Sequence, residues 1–134
     1  MNERPEAASE RRCVVLFVDD YELLAIQRAR NLENSGLTVH RAHDAGSALR
    51  CLAQNRIDVV VADLRLPGTR DGVSLLEEAA RRWPGIGRVL CSGALTDEAR
   101  EWCDREGVPI VLKGDDPPDV LPRVILRECR HHVP

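Results

Sequence analysis

Short apolar runs alternate along the chain with longer stretches whose apolar residues step by three or four positions. Residues 13–18, 37–41, 57–62, 88–91 and 108–112 form the runs. All but the second are nearly unbroken, the pattern of strands covered on both faces, so five strands are predicted. The stretches between them carry Ala25, Ile26, Ala29 and Leu32; then Ala45, Ala48, Leu49 and Leu52; then Val73, Leu76, Ala80 and Trp83; then Leu95, Ala99 and Trp102. Each reads as a helix with one buried stripe. Gly36 and Gly107 stand where glycines close helices, Asp44 and Thr96 where N-caps open them, and the Trp83-Pro84-Gly85 run stops the third helix. A last helix is predicted to begin after Asp119, with Pro122 in its first turn, and to run to about Cys129 ahead of a frayed tail.

Repeated βα units imply right-handed crossovers and an α/β fold. The expected architecture is a (βα)5 doubly wound open parallel sheet of the flavodoxin-like kind, with strand order 2-1-3-4-5. A length of 134 residues leaves room for one domain, placed at 13–130, after a flexible N-terminal arm at 1–12 and with no output domain following. At 43% hydrophobic and 31% charged the chain is too apolar for a disordered one, and no run approaches the length of a membrane span. The first residues lack the apolar core of a secretory signal, so a cytoplasmic protein is expected. A net charge of −3, basic residues clustered no further than pairs and 3% aromatics disfavour nucleic acid. Five widely spaced cysteines without a C-x-x-C pair predict reduced thiols, with Cys51 and Cys91 buried and inert.

In a sheet of this order, ligands bind at the carboxyl ends of the strands. Strand 1 ends in Asp19-Asp20, strand 3 in Asp63, strand 4 in Ser92 and strand 5 in Lys113, the one lysine among 19 basic residues. Three carboxylates converging across one cleft repel each other unless a cation holds them. Oxygen donors without Cys or His favour Mg²⁺ over zinc or a caged Ca²⁺. Lys113 and Ser92 add a fixed charge and a hydroxyl suited to a tetrahedral anion, which completes a constellation for phosphoryl transfer to a carboxylate. His40 and His43 have no third ligand and read as surface residues, Trp83 and Trp102 read as packing, and Asp115-Asp116 reads as a solvated loop.

From Cys13 to Cys129 the chain resembles the receiver domains of two-component response regulators, on Val18-Asp19-Asp20, Asp63-Leu64-Arg65-Leu66-Pro67 with Asp71-Gly72, Ser92-Gly93 and Lys113. The resemblance implies a single-domain regulator. In it Asp63 accepts a phosphoryl group from a phosphohistidine of a sensor histidine kinase or phosphotransfer protein, and the chain catalyses its own phosphorylation and dephosphorylation without being an enzyme in the usual sense. It implies Mg²⁺ held by Asp20, Asp63 and the backbone carbonyl of Arg65, with Asp19 acting through water. It also makes Ser92 the switch hydroxyl and Lys113 the phosphate contact, and lets Gly93 leave room for the phosphoryl group. Output would pass to a downstream effector protein or along a phosphorelay. The alternative is a receiver-like interaction module that signals without phosphorylation.

Four positions depart from the family pattern. Ile110 stands where the family often carries a switch Tyr or Phe. Gly114 replaces the proline after the lysine, predicting a trans bond and a reshaped loop at 114–118. The 67–71 loop is one residue longer than the commonest form, and Arg65 puts a long cation two residues past the acceptor. A haloacid dehalogenase-like hydrolase would need a second Asp where Arg65 stands. A flavodoxin-like cofactor carrier would need a hydroxyl- or glycine-rich phosphate loop in place of Asp19-Asp20-Tyr21.

Overall fold

The structure, a computed structural model, describes residues 12–132. The predicted arm lies outside the described residues except for Arg12. Ten elements alternate: β1 (Val14–Val18), α1 (Glu22–Asn34), β2 (Thr38–Ala42), α2 (Ala45–Gln54), β3 (Val59–Ala62), α3 (Gly72–Arg82), β4 (Gly87–Ser92), α4 (Asp97–Glu106), β5 (Ile110–Leu112) and α5 (Val120–His132). The strands form one parallel sheet in the order β2-β1-β3-β4-β5, as expected.

Side-chain alternation along the strands divides the core into two layers. Leu16, Val18, Val60, Ala62 and Leu90 face α2, α3 and α4, packing on Ala48, Leu52, Leu75, Leu76, Ala79 and Trp102. Val15, Phe17, Val59, Val61, Val89 and Val111 face α1 and α5, packing on Ala25, Leu32, Leu121 and Ile125. β1, β3 and β4 are therefore buried at nearly every position, whereas β2, at the sheet edge, is buried only at Ala42. That explains the broken second run in the sequence.

The helix ends follow their capping residues. The Asp44 side chain accepts from the Ser47 N–H at 2.7 Å and Ser47 answers at the cap backbone, closing a capping box. Thr96 accepts from the Ala99 N–H at 3.1 Å, and Gly107 ends α4 with φ 71°. Asp71 caps α3 by accepting from the Ser74 N–H at 2.9 Å.

Several expectations are corrected by the fold. The β3 ladder opens at Val59 rather than at residue 57, because Asp58 turns its carboxylate to the Val14 N–H (2.8 Å) and to the Arg56 guanidinium (2.7 Å). β5 is three residues long, since Pro109 can offer its carbonyl to Leu90 but no N–H. The α3 stripe is rotated about one position from the expected one. Gly72, Leu75, Leu76 and Ala79 are its buried residues, and Val73, Ala80 and Trp83 lie at the margin. α5 continues beyond Cys129 to His132. Cys51 is half-buried rather than buried, although Cys91 is buried as expected.

The largest correction concerns the thiols. Cys13 and Cys129, separated by 116 positions, are brought to a Cα–Cα distance of 6.2 Å and joined in a disulfide. Local spacing could not reveal the pair because only the docking of α5 beside the start of β1 creates it. Cys51, Cys91 and Cys103 remain free. Among the described residues no helix is long and apolar enough to cross a membrane.

Candidate functional site at the carboxyl edge

The ladder carries its own register past the ends of the strands. Asp19 donates its N–H to the Ala42 carbonyl at 3.0 Å, Asp63 to Val18 at 3.0 Å, and Lys113 to Ser92 at 3.0 Å. Asp19, Asp63 and Lys113 are thus fixed at the backbone by the neighbouring strand before their side chains make any contact. Asp19 is 4% exposed and Ser92 2%, which makes them the only buried polar or charged residues among those described.

Their side chains converge. The Lys113 ammonium donates to Asp19 Oδ2 at 2.6 Å and to Asp63 Oδ2 at 2.7 Å. The Ser92 hydroxyl lies 2.9 Å from Asp63 Oδ1 and 2.9 Å from the Ala94 carbonyl, and with one hydrogen it donates to one of them at a time. The other oxygen of Asp19 accepts from the Tyr21 N–H at 3.0 Å. Burial alone pushes the Lys113 ammonium down. Its hydrogen bonds to Asp19 and Asp63, together with their charges, outweigh that, so its pKa lies above the ordinary value. Lys113 stays a cation throughout the physiological range.

Asp20 is exposed at the rim, with no hydrogen-bond or ion-pair partner among the described residues, and Glu22, Arg41 and His43 line the same cleft. One oxygen each of Asp19, Asp20 and Asp63 lie within 4.8 Å of one another. Three carboxylates against one ammonium leave two surplus negative charges. That surplus, presented by oxygens alone, fits a hard divalent cation such as Mg²⁺. Arg65, which the family resemblance placed in the ligand set through its carbonyl, is exposed in the loop after Asp63, and its N–H reaches toward Asp63 Oδ1 at 3.4 Å.

Gly72 is a residue whose reason the sequence did not disclose. Its N–H donates to the Leu64 carbonyl at 2.8 Å, and a Cβ there would overlap the Asp63 carbonyl oxygen and lie 2.8 Å from its carbon. Glycine therefore lets the start of α3 lie directly on the backbone of Asp63. The Asp71-Gly72 pair was visible in the sequence, but the close approach that requires it was not. A Cβ on Gly93, by contrast, would meet nothing within 4 Å.

The remaining departures take these forms. The described chain has no cis peptide bond, and Gly114 follows Lys113 at φ 85°. Asp116, read earlier as solvated, instead accepts the Leu112 N–H at 2.7 Å and closes this turn. Ile110 is half-buried against the α2–α4 layer. Cys91, also behind the site, is pushed up to about 11 by burial. His43 is exposed and pairs with Asp44 at 3.5 Å. Trp102 is buried and donates to Glu77 at 3.1 Å, while Trp83 is half-buried beneath the Arg82 guanidinium.

Comparison with known proteins places this geometry. The family model described as response regulator receiver domain matches residues 15–124. A response regulator receiver protein of Anaeromyxobacter sp. (strain Fw109-5) is 31% identical over 110 residues, covering 82% of this chain and 44% of that protein. The sensor kinase CckA of Brucella abortus (strain 2308) is 30% identical over 108 residues, covering 72% of this chain and 11% of its own length. This chain thus spans less than half of these curated relatives. Among solved structures, the signal receiver domain of an HD domain-containing protein from Pseudomonas fluorescens Pf-5 superposes with TM-score 0.82 at 27% identity, covering 91% of this chain and 98% of that one. The receiver domain of NtrX from Brucella abortus gives 0.77 at 30% identity, covering 87% and 98%. With the family model spanning most of the fold and the acidic edge built from its strand ends, the chain belongs to the response regulator receiver domain family.

Proposed function

We propose that Asp63 accepts a phosphoryl group from a phosphohistidine on a sensor histidine kinase or phosphotransfer protein, and that the resulting state is read by a downstream protein or passed along a phosphorelay. One observation carries this reading: the Lys113 ammonium lies on both Asp19 and Asp63 while the Ser92 hydroxyl lies on the other oxygen of Asp63. A carboxylate so held needs no general base. Its oxygen bonds to phosphorus as the phosphorus–nitrogen bond breaks, with the electron pair left on the imidazole. Lys113 then turns from the carboxylate to a phosphoryl oxygen, and Ser92 moves its single hydrogen to another. Asp20, Asp63 and the Arg65 carbonyl, with Asp19 acting through water, would hold Mg²⁺, which would supply charge neutralisation at the phosphoryl oxygens. Tyr21 and Gly72 position Asp19 and Asp63 without touching the reacting atoms. The chain acts on itself rather than turning over a separate substrate.

Incubation with acetyl phosphate and Mg²⁺, read by intact mass, tests the proposal. The wild-type chain gains one phosphoryl mass and Asp63→Asn gains none. Failure of the wild-type chain to gain mass leaves the second reading, a module that binds its partner without phosphorylation. That reading is favoured by Ile110, an aliphatic side chain packed where a switch aromatic would move.

A further inference from the structure

Besides the acidic edge, the described residues hold one other group of closely spaced ligand-type side chains, Cys13, Asp58 and Cys129, with one atom each within 4.8 Å. Cys13 directly precedes β1 and Cys129 lies in the last turns of α5. The two are disulfide-bonded across a Cα–Cα distance of 6.2 Å, inside the range such bonds require. A metal suits this group poorly, because it offers three donors where structural zinc takes four. Both Asp58 oxygens are also already held by Arg56, at 2.7 and 2.8 Å.

We propose that Cys13 and Cys129 form a reversible two-electron thiol–disulfide site that clamps the end of α5 to the start of β1. The proposal does not depend on the phosphoryl reading. α5 is anchored without the bond, since Ile125 is fully buried and Leu121 nearly so within the α1–α5 layer, and a core of this size folds without staples. The dithiol form is therefore a folded state. At 8% and 7% exposure the two cysteines lie at the fringe of that layer, within reach of a small thiol reagent. Cys103 and Cys51 belong to the opposite layer, and Cys91 shares the α1–α5 layer but stands at the carboxyl edge of β4. From Cys13 to Asp19 the chain runs the length of β1, about 20 Å at ~3.3 Å per residue, so the clamp and the acidic edge occupy opposite ends of the sheet.

A low-molecular-weight disulfide such as oxidised glutathione is a sufficient oxidant. One cysteine thiolate attacks a glutathione sulfur, releasing one glutathione and leaving a mixed disulfide. The second thiolate attacks the protein sulfur of that intermediate, forms the Cys13–Cys129 bond and expels the second glutathione. Two electrons pass to the oxidant, and the two cysteine protons end on the two glutathione thiols.

The test equilibrates the full chain anaerobically in glutathione buffers of graded ratio, quenches with acid, alkylates under denaturing conditions and weighs the product. Five alkyl groups are expected at the reducing end, matching the five cysteines, and three at the oxidising end. A single transition and a linked Cys13–Cys129 peptide should accompany the change. Cys129→Ser and Cys13→Ser should each take up four groups at both ends, one fewer than the five cysteines, while Cys91→Ser keeps the transition. The oxidised wild-type chain should melt roughly 10 °C above the reduced one, and amide exchange should slow in the last turns of α5. Five alkyl groups in every buffer, linkage through Cys51, Cys91 or Cys103, or a reduced chain that retains stoichiometric zinc on shielded thiols would each overturn the proposal. If the serine variants fail to fold, the wild-type titration and peptide map still decide it.

Discussion

Lys113→Met removes the one positive side chain that, among the described residues, is bonded to Asp19 and Asp63, while keeping most of the aliphatic volume. The lysine side chain is 15% exposed and its partners 2% and 14%, so this is a largely buried triad rather than a surface pair. Two charge-assisted hydrogen bonds are lost, each worth ~1.5–3 kcal/mol, and two carboxylates are left facing each other without compensation. Breaking one partner of a buried pair typically costs ~3–5 kcal/mol, the range expected here. For a domain of this size that lowers the melting temperature by roughly 10–20 °C. Urea unfolding at neutral pH and low salt measures the loss. Repeating it with Mg²⁺ should recover part, because the cation takes over the neutralisation. The double variant Asp19→Asn with Lys113→Met should lose less than the sum of the two single changes, since a neutral amide needs no counter-charge. A Lys113→Met chain within ~0.5 kcal/mol of wild type, the level of ordinary surface substitutions, would refute the claim that repulsion among these carboxylates organises the site.

Mg²⁺ should stabilise the wild-type chain by about 2.7 kcal/mol at one hundred times its Kd, and Asp20→Ala should abolish that shift in calorimetry with little effect on the metal-free chain, since Asp20 is exposed. Gly72→Ala should cost about 3 kcal/mol, the upper end for overpacking, because its Cβ meets the Asp63 backbone. It should also slow acetyl-phosphate labelling by displacing the acceptor, and equal labelling rates would count against the role given to Gly72. Stability, measured with reductant present, should fall on the alkaline side. The Cys91 thiol is raised to about 11 in the fold, so its contribution is complete below the unfolded value of ~8.5 and is lost as pH rises toward the folded one. Lys113 is raised likewise, so its contribution is complete below ~10.4 and fades only above that. Burial also raises the Cys51 and Cys103 thiols, so Cys91→Ala should reduce the earlier decline without abolishing it and leave the later one unchanged.

What could be read from the residues was whatever short-range chemistry specifies. The period of apolar positions marks strands and helices. Asp44, Thr96 and Gly107 act within one turn of where they stand, and an unbroken run such as Val59–Ala62 can only be a strand covered on both faces. The acidic edge was legible for the same reason, because parallel order puts every strand end on one side, whatever the side-chain packing. Other features arise where segments distant in sequence meet, and no local signal encodes them. Asp58 shortens β3 by bonding across to Val14, and Gly72 is required by the backbone of Asp63 rather than by its own helix. α3 turns its Leu75 face inward because of what α2 and the sheet present to it. Cys13 and Cys129 become partners only once α5 closes the last layer, since the distance between two residues 116 positions apart depends on every element between them.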